Sequence, residues 1–181
     1  GLKMACGENP KRVYGGKGRM PSTRMGNLAV NRQTWIAAQE YKRKVDAGER
    51  VTRDLALETL SGVLSGDILI HNHCYRADEM AIVIDMGKEF GYKVSAFHHA
   101  VEAYKIGDML AREGICSAIW ADWYGFKMEA YDAIPENAAI LHKRGACIVI
   151  HSDDENQIQR LNQEAAKAQA DARRAGVVIS D

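Results

Sequence analysis

Histidine and aspartate residues follow four short apolar runs, each of which has the length of a buried β-strand. The four segments that contain them are His71-Asn72-His73, His98-His99, Ala121-Asp122 and His151-Ser152-Asp153-Asp154. Imidazole and carboxylate groups are ligands for zinc, iron and manganese. Such a metal lowers the pKa of its bound water to about 7, and a nearby carboxylate can then move the proton. The repeated position of these side chains indicates a hydrolytic metal site.

Each of these residues also has a purely structural interpretation. His71 or His73 taken singly could be a hydrogen-bonded histidine at a strand end. Neighbouring strand residues point to opposite faces, so His98 and His99 cannot both face one site. One residue of the Asp153-Asp154 pair can cap the next helix while the other binds metal. We interpret the helical histidine, His142, as a C-terminal residue that the helix dipole favours.

The spacing of apolar residues and the positions of glycine and proline predict strands and helices. These elements would place the histidine- and aspartate-containing segments at strand ends. The predicted strands are 1–6, 67–71, 93–98, 116–120 and 147–151. The predicted helices are 27–47, 50–64, 76–90, 101–113, 135–144 and 155–175. This order predicts an α/β fold with parallel strands, either an open doubly wound sheet or five strands of a (β/α)8 barrel.

The predicted loop 7–26 is rich in glycine and basic residues. Loops longer than about 12 residues are usually functional or disordered. A phosphate cradle is one interpretation, but the Walker pattern is absent because Lys17 lies between Gly16 and Gly18. We therefore favour an active-site or interdomain loop.

The bulk properties exclude several classes of protein. Lysine plus arginine and aspartate plus glutamate each number 24, so the formal net charge is zero and a nucleic-acid partner is not expected. No apolar run approaches the roughly 18 residues of a membrane span, and no signal peptide is visible. The four cysteines lack CxxC spacing and three lie in or beside predicted strands, so we expect reduced core thiols and a cytoplasmic location.

The 181 residues are expected to form a single α/β domain that spans residues 1–181. The chain begins directly in a predicted strand and stops in an apolar segment after a helix. These ends favour a partial barrel over a complete open sheet, with the chain as a segment of a larger protein.

Several of these segments resemble the amidohydrolase superfamily, most closely its imidazolonepropionase-like and Xaa-dipeptidase-like branch. The similar segments are Leu2-Lys3-Met4-Ala5, Leu69-Ile70-His71-Asn72-His73, Phe97-His98-His99-Ala100, Trp123-Tyr124-Gly125-Phe126-Lys127-Met128-Glu129 and Ile150-His151-Ser152-Asp153. The resemblance covers essentially the whole chain. It implies about strands 4 to 8 of a (β/α)8 TIM barrel, incomplete at both ends.

The resemblance also implies the residues of the site. His71 and His99 would be metal ligands, and Asp153 would be both a ligand and the catalytic base. Lys3, carbamylated, would bridge two metals, with Glu8 as the alternative ligand from that strand. The cofactor would be a divalent metal, foremost zinc, as one or two ions. His73 would face the substrate.

Two residues of the loop after the fourth predicted strand, Tyr124 and Lys127, are further candidates for substrate contact. The activity implied is hydrolysis of a C–N bond in an amide, a cyclic amide or a dipeptide-like small molecule. The family's first strand carries another His-x-His pair that this sequence does not contain. The chain is therefore expected to form a homo-oligomer or to need the missing half of the barrel.

Two alternatives remain at this point. One is an inactive barrel fragment that self-associates through its open edges. The other is a flavodoxin-like module whose loop 7–26 binds an anionic ligand.

Overall fold

A computed structural model describes residues 1–180. The strands are β1 (Leu2–Ala5), β2 (Ile70–Cys74), β3 (Val94–His99), β4 (Cys116–Ile119) and β5 (Ile148–Ile150). The α-helices are α1 (Glu8–Gly15), α2 (Arg24–Asp46), α3 (Leu55–Leu64), α4 (Ala77–Phe90), α5 (Gly107–Glu113), α6 (Asn137–Lys143) and α7 (Leu161–Arg174). Short 3-10 helices span Ala103–Ile106, Met128–Ala130 and Ile158–Arg160.

The strands form one five-stranded sheet in the order β1-β2-β3-β4-β5. β3 pairs with β4 in parallel, and β4 pairs with β5 in parallel. Spatial order therefore follows chain order. A flavodoxin-like sheet has the order 2-1-3-4-5, because its connections reverse direction at a switch point. The sequential order is that of a β/α barrel and contradicts the flavodoxin-like alternative.

The chain divides into two compact units. The first unit comprises Gly1–Asn72 and Ile82–Val94, and the second comprises His73–Ala81 and the chain from Ser95 onward. In the first unit the ring of Trp35 stacks on Tyr92 with centroids 4.4 Å apart. In the second unit the buried amide of Asn137 donates to the carbonyl oxygens of Ala100 and Val101 and accepts from the backbone N–H of Tyr104. This amide fixes the chain that leaves β3.

The prediction of a structureless loop at 7–26 was wrong. Gly7, with φ of 80°, turns the chain out of β1, and helix α1 follows with Glu8 in its first turn. Pro10 is tolerated there because the first turn of a helix leaves its N–H groups unpaired in any case. Helix α2 begins three residues earlier than predicted, because the Thr23 hydroxyl oxygen accepts from the Gly26 N–H at 2.9 Å.

Strand β2 lies three residues further along the chain than predicted. The backbone N–H groups of Asp67 and Ile68 both donate to the carbonyl oxygen of Gly62, at 2.9 and 3.2 Å. Residues 67 and 68 therefore complete the end of α3 and cannot pair as a strand. As a result the His-x-His segment lies inside β2 and not beyond it.

The prediction of reduced cysteines was also wrong. A disulfide joins Cys116 at the start of β4 to Cys147 just before β5, and none of the four cysteines is a free thiol. The register explains the bridge, because Ser117 pairs with Ile148 and so brings the two preceding residues side by side on neighbouring strands. Disulfides are typical of oxidising compartments and of hyperthermophile proteins.

Alkaline pH is expected to destabilise the first unit through Tyr92. Burial raises the pKa of Tyr92 to about 12, whereas an unfolded tyrosine ionises near about 10. Below pH about 10 the tyrosine is neutral in both the folded and the unfolded chain, and the free energy of unfolding keeps its full value. As pH rises through about 12, the free energy of unfolding falls by about 2 to 3 kcal/mol. Urea unfolding at pH 9 and pH 12 would show a smaller alkaline loss for Tyr92→Phe than for the parent chain. The control is Tyr131→Phe at a ring that is 76% exposed; equal losses in both variants would contradict the prediction.

Candidate functional site

The second unit gathers polar and aromatic side chains at the C-terminal ends of β3, β4 and β5. The register pairs His99 with Ile119, and Ile119 with Ile150, so the three strands end at one level. Trp120 and His151 follow directly after these ends. In parallel α/β sheets this edge is where ligands and reacting groups lie.

His99 and Asp153 form the pair on which the site is built. The His99 Nε2 atom lies 3.8 Å from the Asp153 Oδ2 atom. The histidine side chain is only 2% exposed, whereas the aspartate side chain is 58% exposed. A buried base beside a solvent-exposed carboxylate can exchange protons with water at the edge of the sheet.

Both members of the pair have left-handed backbone conformations. His99 has φ of 72°, the next residue Ala100 has φ of 39°, and Asp153 has φ of 59°. Non-glycine residues in this region cost of order 1 kcal/mol or more each, and such residues cluster at functional sites. These are the only non-glycine residues of the described chain with positive φ. The backbone outliers therefore point to the same place as the side-chain chemistry.

An aromatic–histidine cluster surrounds the pair; its members are His73, Tyr75, His99, Trp120 and His151. The His99 ring lies 4.4 Å from the His73 ring and 5.1 Å from the His151 ring, measured between centroids. Trp120 stacks on His99 at 4.5 Å, and Tyr75 lies 5.0 Å from the same ring. This packing excludes water from one side of His99 and holds its imidazole in one orientation.

A buried ion pair lies against the cluster. The Lys127 Nζ atom is 2.8 Å from Glu129 Oε1, and the glutamate side chain is fully buried. The same ammonium lies 3.8 Å from the centroid of the Tyr75 ring. A cation over an aromatic face is attracted by the ring quadrupole, most strongly when water is excluded. The pair therefore fixes the loop after β4 against Tyr75.

The predicted site residues are distributed over both units. His73, His99, Asp153 and Lys127 lie at the site of the second unit, and Tyr124 lines a small cavity there with His99 and Trp120. His71 lies half-buried in β2 and Lys3 lies exposed in β1, and both belong to the first unit. Glu8, the alternative to Lys3, lies in the first turn of α1.

The two neighbouring aspartates have different structural roles. The Asp154 Oδ1 atom accepts from the backbone N–H groups of Asn156 and Gln157, at 2.9 and 2.8 Å. Asp154 therefore caps the turn that leads to α7, and Asp153 points its carboxylate at His99. His142 lies in the last turn of α6, as expected from the helix dipole.

The donors found here do not make a complete metal site by themselves. Imidazole and carboxylate are suitable donors, but zinc takes three or four protein ligands. Within residues 1–180 no group of three or more histidine, cysteine, aspartate or glutamate side chains could hold a metal ion. The His99 and Asp153 pair is thus compatible with two ligands of such a site.

Sequence reasoning missed three residues of the site: Tyr75, Trp120 and Glu129. Trp120 is the last residue of the predicted strand 116–120, so the strand-end position that identified the histidines could also have identified it. Tyr75 follows β2 only once that strand is shifted to its true bounds. Glu129 lies in a segment that resembles the family, but its place in the site could not be predicted, because burial of a glutamate depends on the lysine that folds over it.

A sequential parallel sheet with polar side chains at its carboxyl edge is the arrangement found in part of a β/α barrel. No family model matches the chain. The chain is 33% identical over 184 residues to amidohydrolase tasK of Hapsidospora irregularis, a match that covers 92% of this chain and 19% of that protein. It superposes on the crystal structure of an amidohydrolase from Thermotoga maritima MSB8 with a TM-score of 0.84 and 35% identity, over 96% of this chain and 46% of that one.

Both comparisons support the amidohydrolase family, to which the sequence bears its resemblance. The fold is accordingly similar to part of an amidohydrolase barrel. The chain spans about a fifth of the length of amidohydrolase tasK and just under half of the length of the Thermotoga maritima protein. Separately, no helix within residues 1–180 has the length and apolarity to cross a membrane.

Proposed function

We propose that the chain is a section of an amidohydrolase of the imidazolonepropionase-like and Xaa-dipeptidase-like branch, corresponding to about strands 4 to 8 of the barrel. Its reaction is hydrolysis of a C–N bond in a small amide, cyclic amide or dipeptide-like substrate. The observation that carries the proposal is the placement of His99 3.8 Å from Asp153 at the carboxyl edge of the sheet. Similarity to two amidohydrolases over more than nine-tenths of the chain supports it.

Asp153 is the proton carrier in this proposal. Its exposed carboxylate, which lies beside the buried His99, can accept a proton from water and deliver it to the leaving nitrogen. A divalent metal, zinc foremost, would polarise the scissile carbonyl and make the water more acidic. His99 and Asp153 are proposed as two of its ligands. His71 and Lys3 remain proposed ligands on the sequence resemblance alone.

The substrate is proposed to contact His73, Tyr124 and Lys127. His73 and the ammonium of Lys127 both lie beside Tyr75, with His73 5.1 Å from that ring. Tyr124 is 42% exposed and lines the cavity beside His99. A cytoplasmic location and a homo-oligomeric assembly stay predictions from the sequence.

Zinc binding tests the proposal. We expect His99→Ala to weaken zinc binding at least about tenfold in calorimetric titration, as loss of a ligand or its support does. The matched control is His142→Ala, at an exposed histidine in the last turn of α6, which should bind zinc like the parent chain. Equal zinc affinity in all three proteins would contradict the assignment of His99 as a ligand.

A screen of dipeptides and cyclic amides with the zinc-loaded chain tests the reaction itself. Release of amine that disappears in His99→Ala supports the hydrolase. Zinc binding without turnover of any of these compounds would instead favour the inactive, self-associating fragment, which size-exclusion chromatography would reveal as an oligomer.

A further inference from the structure

We propose that Trp120 is the positioning residue of Asp153: its indole N–H holds the backbone that aims the aspartate carboxylate at His99. The inference rests on the proposed function only in giving Asp153 a chemical role. The positioning itself is a property of the fold and can be measured without substrate.

The Asp153 carboxylate is not held in place by burial. Its side chain is 58% exposed, so packing does not restrict it. Its backbone has φ of 59°, which an L-residue adopts at a cost. Something outside the residue must therefore hold this conformation, and the backbone sets the point and the direction from which the side chain leaves the chain.

The residues on both sides of Asp153 are fixed. On the N-terminal side the Trp120 Nε1–H group donates to the Ser152 carbonyl oxygen at 2.7 Å, in a buried hydrogen bond. On the C-terminal side the Asp154 N–H group donates to the Ser152 hydroxyl oxygen at 3.2 Å, and that hydroxyl donates to the Asp154 carbonyl oxygen at 3.0 Å. Ser152 thus links the indole to the backbone beyond Asp153.

The same indole also contacts the other member of the pair. Trp120 stacks on His99 with centroids 4.5 Å apart and an interplanar angle of 22°, and on His151 at 5.1 Å. Because the ring is only 8% exposed, it has little freedom to move. One side chain therefore packs on the face of the His99 imidazole and also holds the backbone next to Asp153.

Trp123 provides a matched control. It stacks on Trp120 at 5.3 Å with an interplanar angle of 15°, so it belongs to the same aromatic packing. The donor to Ser152, however, is Trp120. Trp123→Phe removes a comparable ring volume without removing that hydrogen bond.

Amide hydrogen exchange measured by NMR tests the positioning. We expect Trp120→Phe to speed exchange of the Asp154 and Gln157 amides about tenfold or more, because the turn loses its buried anchor. Trp123→Phe should change them by less than about threefold. Equal changes in the two variants, or none in Trp120→Phe, would overturn the proposal. If Trp120→Phe does not fold, benzothienylalanine at position 120 keeps the rings and removes only the N–H donor, with the same expected exchange.

Kinetics on a substrate found in the screen separates this inference from the proposed function. Trp120→Phe should lower kcat about tenfold with KM changed less than about threefold, because a misdirected base affects the chemical step. If amide exchange is faster in Trp120→Phe but the parent chain hydrolyses none of the compounds, the positioning role of Trp120 stands and the proposed hydrolase activity is contradicted. An unchanged kcat alongside faster exchange would overturn the link between Trp120 and catalysis.

Discussion

Asp153→Asn is expected to lower kcat/KM by about 10²- to 10⁴-fold, the range that a general acid–base group contributes. Asparagine keeps the shape of the side chain and one oxygen, but it cannot accept the proton of the attacking water. It also tolerates the left-handed backbone at this position, so the fold should be preserved. Steady-state kinetics on a substrate identified by the amide screen would measure the loss.

The control for this prediction is the adjacent residue. Asp154→Asn makes the same chemical change, but Asp154 caps the turn before α7 through its Oδ1 atom. Asparagine caps as well as aspartate does, so both stability and kcat/KM should stay near the parent values. Similar losses in the two variants would mean that charge near the site matters and that Asp153 has no specific chemical part.

The different roles of Asp153 and Asp154 also show which features of the site could be predicted from the sequence and which could not. Alternation of apolar runs and helical segments identified all five strands, because buried parallel strands are short and continuously apolar. The same pattern placed polar side chains at their carboxyl ends. It left open which aspartate caps the helix. That choice depends on the backbone of Asp153, which no local propensity indicates.

The predicted bounds of an element were wrong where its residues form part of a neighbouring element in the structure. Residues 67 and 68 look like strand but are used to end α3, through hydrogen bonds to Gly62. The segment after Gly7 looks like loop, yet a glycine with φ of 80° lets α1 begin at once. The disulfide between Cys116 and Cys147 required knowledge of strand register, which spacing along the chain does not contain.

The ion pair between Lys127 and the buried Glu129 was not predicted from the sequence, and its removal should have the largest effect on stability. We expect Lys127→Met to lower the free energy of unfolding by about 3 to 5 kcal/mol. The reason is that the Glu129 carboxylate is fully buried and would lose the ammonium 2.8 Å away that neutralises it. The Tyr75 ring would lose its cation at the same time. Urea unfolding followed by circular dichroism measures this difference.

Two further variants separate the charge from the loss of packing. Lys127→Met combined with Glu129→Gln removes both charges, and it should recover most of the stability, because replacing both partners of a buried pair is often nearly neutral. The exposed pair Lys42–Asp46 has a similar separation of 2.9 Å with side chains 30% and 60% exposed, and Lys42→Met there should cost less than about 1 kcal/mol. A double variant as unstable as Lys127→Met would show that the lysine stem, by packing on Tyr75, and not the ammonium stabilises this loop.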